Sequence, residues 1–121
     1  MILVDTSVWV DHLRHGEPSL GRELEEGNVL MHPFVLGELA CGNLKDRAVV
    51  LKLLGDLPAA PSLSNQEVLA FIESRQIMGR GVGWIDVHLL ASAILADSAR
   101  LWTRDRRLAE VAGELRLEFA E

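Results

Sequence analysis

The chain begins with Met1-Ile2-Leu3-Val4-Asp5-Thr6-Ser7, a short apolar run that stops at three polar residues. Consecutive apolar residues of this kind predict a strand covered on both faces, as in the interior of a parallel sheet. Asp5 stands where this strand ends, and ligands of open parallel sheets bind at the carboxyl ends of the strands. Asp5 or Thr6 could equally cap a helix over residues 7–13, because such residues dominate helix starts.

Further short apolar runs alternate with longer helical patterns. Strands are predicted over residues 29–31 and 101–103, with a half-exposed one over 115–119 and at most an edge strand within 57–63. Helices are predicted over residues 17–26, 33–43, 45–55, 64–79 and 84–97, and one more follows Asp105. Ser64 and Glu67 have the spacing of a capping box. This alternation favours an α/β fold with right-handed crossovers and a mainly parallel sheet.

Length and composition indicate one folded domain over residues 1–121. An apolar fraction of 49% argues against disorder, and a single cysteine, Cys41, indicates a reduced intracellular setting. Asp5 interrupts any signal-like apolar start, and the longest apolar window, residues 87–96, is too short to span a membrane. We therefore expect a cytoplasmic protein that does not associate with membranes.

The net charge of −6 argues, at face value, against a nucleic-acid partner. If several acids hold divalent cations, however, the remaining charge is close to balanced. Net charge therefore does not decide between a nucleic-acid partner and any other.

Four acids occupy positions from which they can converge on one edge of the predicted sheet. Asp5 and Asp105 follow strands, and Asp86 begins the helix over 84–97, on the face that also carries Leu90. Glu38 lies at the border of an apolar helix stripe, where an acid is commonly a surface residue, but it also follows a strand by about two helical turns. Position, rather than residue type, makes these acids candidates for a shared site.

Carboxylates gathered in one pocket repel one another and raise each other's pKa values unless a cation lies between them. Mg²⁺ and Mn²⁺ prefer hard oxygen ligands, and such a site can activate water and neutralise charge on a phosphodiester. Hydrolysis of a nucleic-acid backbone is the leading interpretation. A non-catalytic module that binds RNA or protein remains open. A phosphatase with Asp5 as nucleophile is disfavoured, because Ser7 stands where its second acid is expected.

Four motifs in chain order resemble PIN-domain nucleases. They are Ile2-Leu3-Val4-Asp5-Thr6-Ser7-Val8-Trp9, Glu38-Leu39, Asp86 at the start of an alanine-containing helix, and Leu101-Trp102-Thr103-Arg104-Asp105. Within that family the resemblance is to the VapC toxins of bacterial VapBC toxin–antitoxin pairs, and it covers nearly the whole chain.

The resemblance implies a three-layer α/β/α sandwich and an endoribonuclease that depends on Mg²⁺ or Mn²⁺. By the same likeness, the metal ligands and catalytic residues would be Asp5, Glu38, Asp86 and Asp105. The hydroxyls of Thr6 and Thr103 would orient a carboxylate or a water molecule.

The resemblance also implies a homodimer and silencing by a VapB-type antitoxin whose C-terminal segment occupies the active-site groove. An interface could use apolar residues that core burial explains equally well: Phe34, Val35, Leu36 and Cys41.

Basic residues are candidates for phosphate contact. Arg104, Arg106 and Arg107 flank Asp105 and could hold RNA phosphates or acidic groups of an antitoxin, although such arginines are often only solvated. Arg80 lies in a glycine-rich loop over residues 79–83, where it could contact a phosphate or be only solvated.

Overall fold

The centre of the molecule is a three-stranded parallel sheet, seen in a computed structural model that describes residues 1–97 and 99–121. The strands β1 (Ile2–Val4), β2 (Val29–Leu30) and β3 (Arg100–Trp102) lie in the order β2-β1-β3. Leu3 pairs with Leu30 on one side and with Leu101 on the other. The first strand is therefore the central one, and all three of its residues are buried, as its unbroken apolar sequence predicts.

Helices connect and cover the strands, as expected for an α/β sandwich. The helices are α1 (Thr6–His15), α2 (Pro18–Glu25), α3 (Pro33–Ala40), α4 (Arg47–Gly55), α5 (Asn65–Arg75), α6 (Trp84–Leu95) and α7 (Arg106–Glu114). Helix α1 packs against α3, α5 packs against α6, and both α6 and α7 pack on β3. None of the helices in the described part of the chain is long and apolar enough to cross a membrane.

Several helices are shorter than the apolar patterns predict, because residues with left-handed backbone interrupt them. Gln76, with φ of 54°, ends α5 well before residue 79, and Asp46, with φ of 51°, delays the start of α4 to Arg47. The capping box at the start of α5 is confirmed: Glu67 N–H donates to Ser64 Oγ and Ser64 N–H donates to Glu67 Oε1.

The predicted final strand over residues 115–119 is wrong. Only an isolated bridge joins Glu118 to Leu101, after a turn in which Arg116 adopts φ of 61°. The alternation of apolar and polar residues over this segment comes from one short extended contact at the sheet edge, in which Leu117 is buried. The segment over residues 57–63 is likewise limited to one bridge, between Ala59 and Met31.

The core is formed by the sheet, the inner faces of the helices and two tryptophans, Trp9 and Trp102, which are at most 1% exposed. Among the described residues, the buried polar or charged side chains are Asp5, His32, His88 and Ser92. Buried polar groups are costly unless they are hydrogen-bonded. Asp5 therefore has the clearest need for the local partners that define the candidate site.

Candidate functional site

Asp5 is a buried carboxylate held by three donors at the end of the central strand. Asp5 lies in the interior, and the residue is 7% exposed. Oδ1 accepts from Thr6 N–H at 2.8 Å, while Oδ2 accepts from Ser7 Oγ at 2.9 Å and from Thr103 Oγ1 at 2.7 Å. Asp5 is also the N-cap residue of α1. The capping role and the position at the sheet edge, posed above as alternatives, therefore coexist in one residue.

Thr6 connects the start of α1 to Glu38 on α3. Its hydroxyl donates to Glu38 Oε1 at 2.7 Å, while its backbone N–H donates to Asp5. Glu38 is exposed, yet this hydrogen bond brings its carboxylate back over the sheet edge. The position two helical turns after β2 thus places Glu38 beside Asp5.

Thr103 connects Asp5 to Asp105. Its hydroxyl donates to Asp5 Oδ2 and accepts from the backbone N–H of Asp105 at 3.1 Å. Asp105 is the N-cap residue of α7, where its Oδ1 accepts from Leu108 N–H at 3.1 Å. One hydroxyl therefore joins the carboxylate of Asp5 to the backbone of Asp105.

Asp86 completes the cluster from the first turn of α6. Its Oδ2 accepts from Gly83 N–H at 3.1 Å, a contact that favours the ionised form. The pKa of Asp86 is nevertheless raised, first by burial and then by the negative charges of Asp5, Asp105 and Glu38. The other three acids therefore lie close enough to Asp86 for their charges to act on it.

The donor chemistry of this cluster fits a hard divalent cation. Within residues 1–97 and 99–121, no Lys, Arg or His forms an ion pair with any of the four carboxylates, so their mutual repulsion is uncompensated by side chains. In the same part of the chain, no three His, Cys, Asp or Glu side chains are already arranged around one metal position. A shared ion therefore requires rotation of these side chains from their present hydrogen bonds. Their roles as ligands and catalysts stay a prediction.

Two of the four candidate arginines are occupied by acids. Arg104 forms ion pairs with Glu121, Asp11 and Glu17, and its hydrogen bonds to them, in this order, raise its pKa further above its usual range. Arg80 pairs with Glu114 on α7, and this hydrogen bond also raises its pKa. Neither guanidinium is free to take a phosphate in this arrangement.

The other two arginines remain available as phosphate contacts. Arg106 and Arg107 are exposed at the start of α7 and form no ion pair with another described residue. The side chain of Arg107 lies against Gly81, where an added Cβ would come within 2.7 Å of Arg107 Cδ. Phosphate binding by Arg106 and Arg107 stays a prediction.

Ser7 is a residue of the site that the sequence analysis did not select. Its hydroxyl donates to Asp5 Oδ2 and accepts from Arg104 N–H at 3.1 Å. The available signal was a hydroxyl residue two positions after an acid at a strand end. Because α1 begins at Thr6, that spacing turns the hydroxyl back toward the acid.

The residues proposed for an interface divide between core and surface. Val35 is fully buried, so core packing explains it, whereas Phe34 is 37% exposed and Cys41 is exposed. Phe34 packs edge-on against buried His88, which also contacts Trp84, 40% exposed. An aromatic patch of Phe34 and Trp84 therefore reaches the surface between the starts of α3 and α6.

A family model and two curated relatives match nearly the whole chain. The family model for the PIN domain matches residues 2–114. Two curated relatives, each called Ribonuclease VapC32 and coming from Mycobacterium tuberculosis strains CDC 1551 / Oshkosh and ATCC 25618 / H37Rv, are both 46% identical over 121 residues. Each alignment covers 100% of this chain and 98% of the relative.

Proposed function

The chain belongs to the PIN-domain family and is a homologue of the VapC ribonucleases, and we propose that it is an endoribonuclease toxin of a toxin–antitoxin pair. We infer that it hydrolyses RNA phosphodiester bonds and depends on Mg²⁺ or Mn²⁺. The observation that supports this proposal is the grouping of four acids, in which Thr6 and Thr103 connect Asp5 to Glu38 and Asp105 and the charges of the other three act on Asp86. None of the four forms an ion pair with a described residue.

A divalent cation held by Asp5, Glu38, Asp86 and Asp105 would supply Lewis-acid stabilisation of phosphate charge and a water molecule of lowered pKa. The protein itself orients the carboxylates that would hold the cation. Three donors fix the plane of the Asp5 carboxylate, and Thr6 restricts the exposed side chain of Glu38. Burial first, and then the charges of the neighbouring acids, raise the pKa of Asp86, and a bound cation would offset the repulsion between these charges.

Cleavage of a labelled RNA tests the proposal. The wild type is expected to cleave RNA with Mg²⁺ or Mn²⁺, and cleavage is expected to stop when a chelator is added. Asp5→Asn is expected to lose activity, because the substitution removes a carboxylate charge with little change in shape. Asp56→Asn is the matched control, since Asp56 lies at the end of α4 and pairs with Lys52. Cleavage by Asp5→Asn at the wild-type rate, or undiminished cleavage in chelator, would refute the proposed site. RNA binding without cleavage by the wild type would favour the non-catalytic module.

An antitoxin partner is supported by a cleft beside Glu38. The cleft has a volume of about 450 Å³ and lies between α1, α3 and the start of α4. Apolar side chains line the cleft together with two basic and two acidic residues, which suits an apolar partner segment that carries charged side chains of both signs. The lining includes Val10, Leu13, Leu39 and Val50, with Arg14, Lys45, Glu38 and Asp46. Expression is expected to arrest growth, and coexpression of the cognate antitoxin is expected to relieve the arrest.

We propose further that the protein is a homodimer acting on RNA in the cytoplasm. The aromatic patch of Phe34 and Trp84 supports a contact between copies, because exposed aromatic residues are enriched at protein interfaces. Light scattering is expected to give the mass of a dimer for the wild type. A monomeric mass for the wild type at micromolar concentration would contradict the dimer.

A further inference from the structure

We propose that Arg104 is a positioning residue, which acts through Ser7 and Asp5 to hold the loop between β3 and α7 in its active arrangement. This inference rests on the proposed function, because the loop carries Thr103 and Asp105. It assigns to Arg104 a role different from contact with RNA phosphate, which the sequence alone suggests.

The guanidinium of Arg104 fastens the loop to two helices that precede it by many residues. Nη1 donates to Asp11 Oδ2 at 2.5 Å on α1, and Nη2 donates to Glu17, the N-cap residue of α2, and to Glu121 Oε1 at 2.7 Å. The Arg104 side chain is 29% exposed, and that of Glu17 is 25% exposed. A planar guanidinium with several fixed donors is suited to such simultaneous contacts, whereas a lysine is not.

The backbone of Arg104 connects this ion-pair cluster to the site. Its N–H donates to Ser7 Oγ at 3.1 Å, and Ser7 Oγ donates to Asp5 Oδ2 at 2.9 Å. Thr103 and Asp105 are its immediate neighbours in the chain. Displacement of Arg104 therefore moves the donor to Asp5 and the Asp105 carboxylate together.

Charge argues against a phosphate role for Arg104. To take a phosphate, the guanidinium would have to release some of its three carboxylate partners. Unpaired carboxylates would then face a polyanionic RNA, with like-charge repulsion where attraction is needed. Arg104 therefore stabilises the loop rather than contacting the substrate.

Arg104→Gln separates the two roles when it is compared with Arg22→Gln. Arg22 is exposed on α2, and its side chain donates to Ser19 Oγ, so this control removes the same charge away from the site. For Arg104→Gln we expect kcat to fall about 10- to 100-fold, the size of effect that misplacement of catalytic groups produces, with KM within about twofold of the wild type. Arg104→Lys is expected to recover only part of kcat, since lysine keeps the charge but lacks the planar fork.

RNA affinity gives an independent readout. In an Asp86→Asn background, the salt dependence of RNA binding is expected to be the same for Arg104→Gln as for Arg22→Gln. A KM increase at unchanged kcat, with a salt slope reduced by about one, would identify a phosphate contact and overturn the inference. Wild-type kinetics for Arg104→Gln would also overturn it.

Hydrogen exchange distinguishes failure of the inference from failure of the proposed function. Exchange of residues 102–108 is expected to be faster in Arg104→Gln than in Arg22→Gln. Absence of cleavage by the wild type would refute the nuclease proposal, while the exchange rates would still decide whether Arg104 holds the loop. If Arg104→Gln does not fold, Glu17→Gln removes one of the three ion pairs of Arg104 and is also expected to lower kcat. Wild-type values of kcat and of the hydrogen-exchange rates for Glu17→Gln would overturn the inference.

Discussion

Thr103→Val tests whether one hydroxyl holds the Asp5 carboxylate and the backbone of Asp105 in place. Valine has nearly the same shape as threonine but lacks the oxygen that donates to Asp5 Oδ2 at 2.7 Å and accepts from Asp105 N–H at 3.1 Å. A hydrogen bond to a charged group contributes roughly 1.5–3 kcal/mol. Asp5 is 7% exposed, so water replaces this donor poorly, whereas Asp105 is exposed and its N–H can be solvated. We therefore expect the free energy of unfolding to fall by about 2 kcal/mol.

Urea denaturation measures this change. For an m value of about 2 kcal/mol/M, the midpoint of Thr103→Val is expected to fall by about 1 M with m unchanged. Thr103→Ser keeps the hydroxyl and is the matched control. The RNA cleavage rate of the valine variant is expected to fall as well, because the Asp5 carboxylate loses a donor and the backbone of Asp105 loses its hydrogen bond to Thr103. A valine variant with the midpoint and the cleavage rate of the serine variant would refute the proposed function of this hydroxyl.

Two further predictions concern the glycine-rich loop and a buried histidine. Gly81 adopts φ of 80°, so Gly81→Ala is expected to cost about 1–2 kcal/mol of unfolding free energy, whereas Gly37→Ala, in open space on α3, is expected to stabilise by about 0.5–1 kcal/mol. Equal effects of these two substitutions in urea denaturation would contradict the backbone argument. Burial, and then the nearby charge of His88, lower the pKa of His32 to about 4, so the folded protein keeps this ring neutral. Because the unfolded chain binds the proton more readily, the stability contributed by neutral His32 is complete above about pH 6.5 and is lost as pH falls toward 4, by up to about 3 kcal/mol. His32→Gln is expected to flatten this part of the pH dependence of unfolding; an unchanged slope between pH 6.5 and 4.5 would contradict it.

Local patterns predicted those parts of the fold that depend on neighbouring residues. The apolar run before Asp5 specified the central strand, and Ser64 with Glu67 specified a helix start, because each signal lies within a few positions. The positions of Asp5 and Asp105 after parallel strands were also predictable, since the carboxyl ends of parallel strands share one edge. Alternation over residues 115–119 gave a wrong strand, because the pattern does not specify how many residues pair with the neighbouring strand.

Partners distant in the chain were not predictable. The sequence shows Arg104 beside Asp105, which suggests a substrate contact, but nothing local indicates that Asp11 and Glu17 will meet its guanidinium. Ser7 was missed for a related reason, because its second partner is the backbone of Arg104. Such contacts depend on how α1, α2 and the loop after β3 pack together.

Thermal unfolding in a Mg²⁺ or Mn²⁺ titration tests most directly whether four carboxylates from distant positions in the chain share a divalent cation. For the wild type we expect the midpoint to rise with the logarithm of metal concentration, by roughly 10 °C when the metal exceeds its Kd 100-fold. The single variants Asp5→Asn, Glu38→Gln, Asp86→Asn and Asp105→Asn are each expected to lose most of this rise, while Asp56→Asn keeps it. A wild-type midpoint that does not respond to either metal, or an equal response in all five variants, would contradict the shared site.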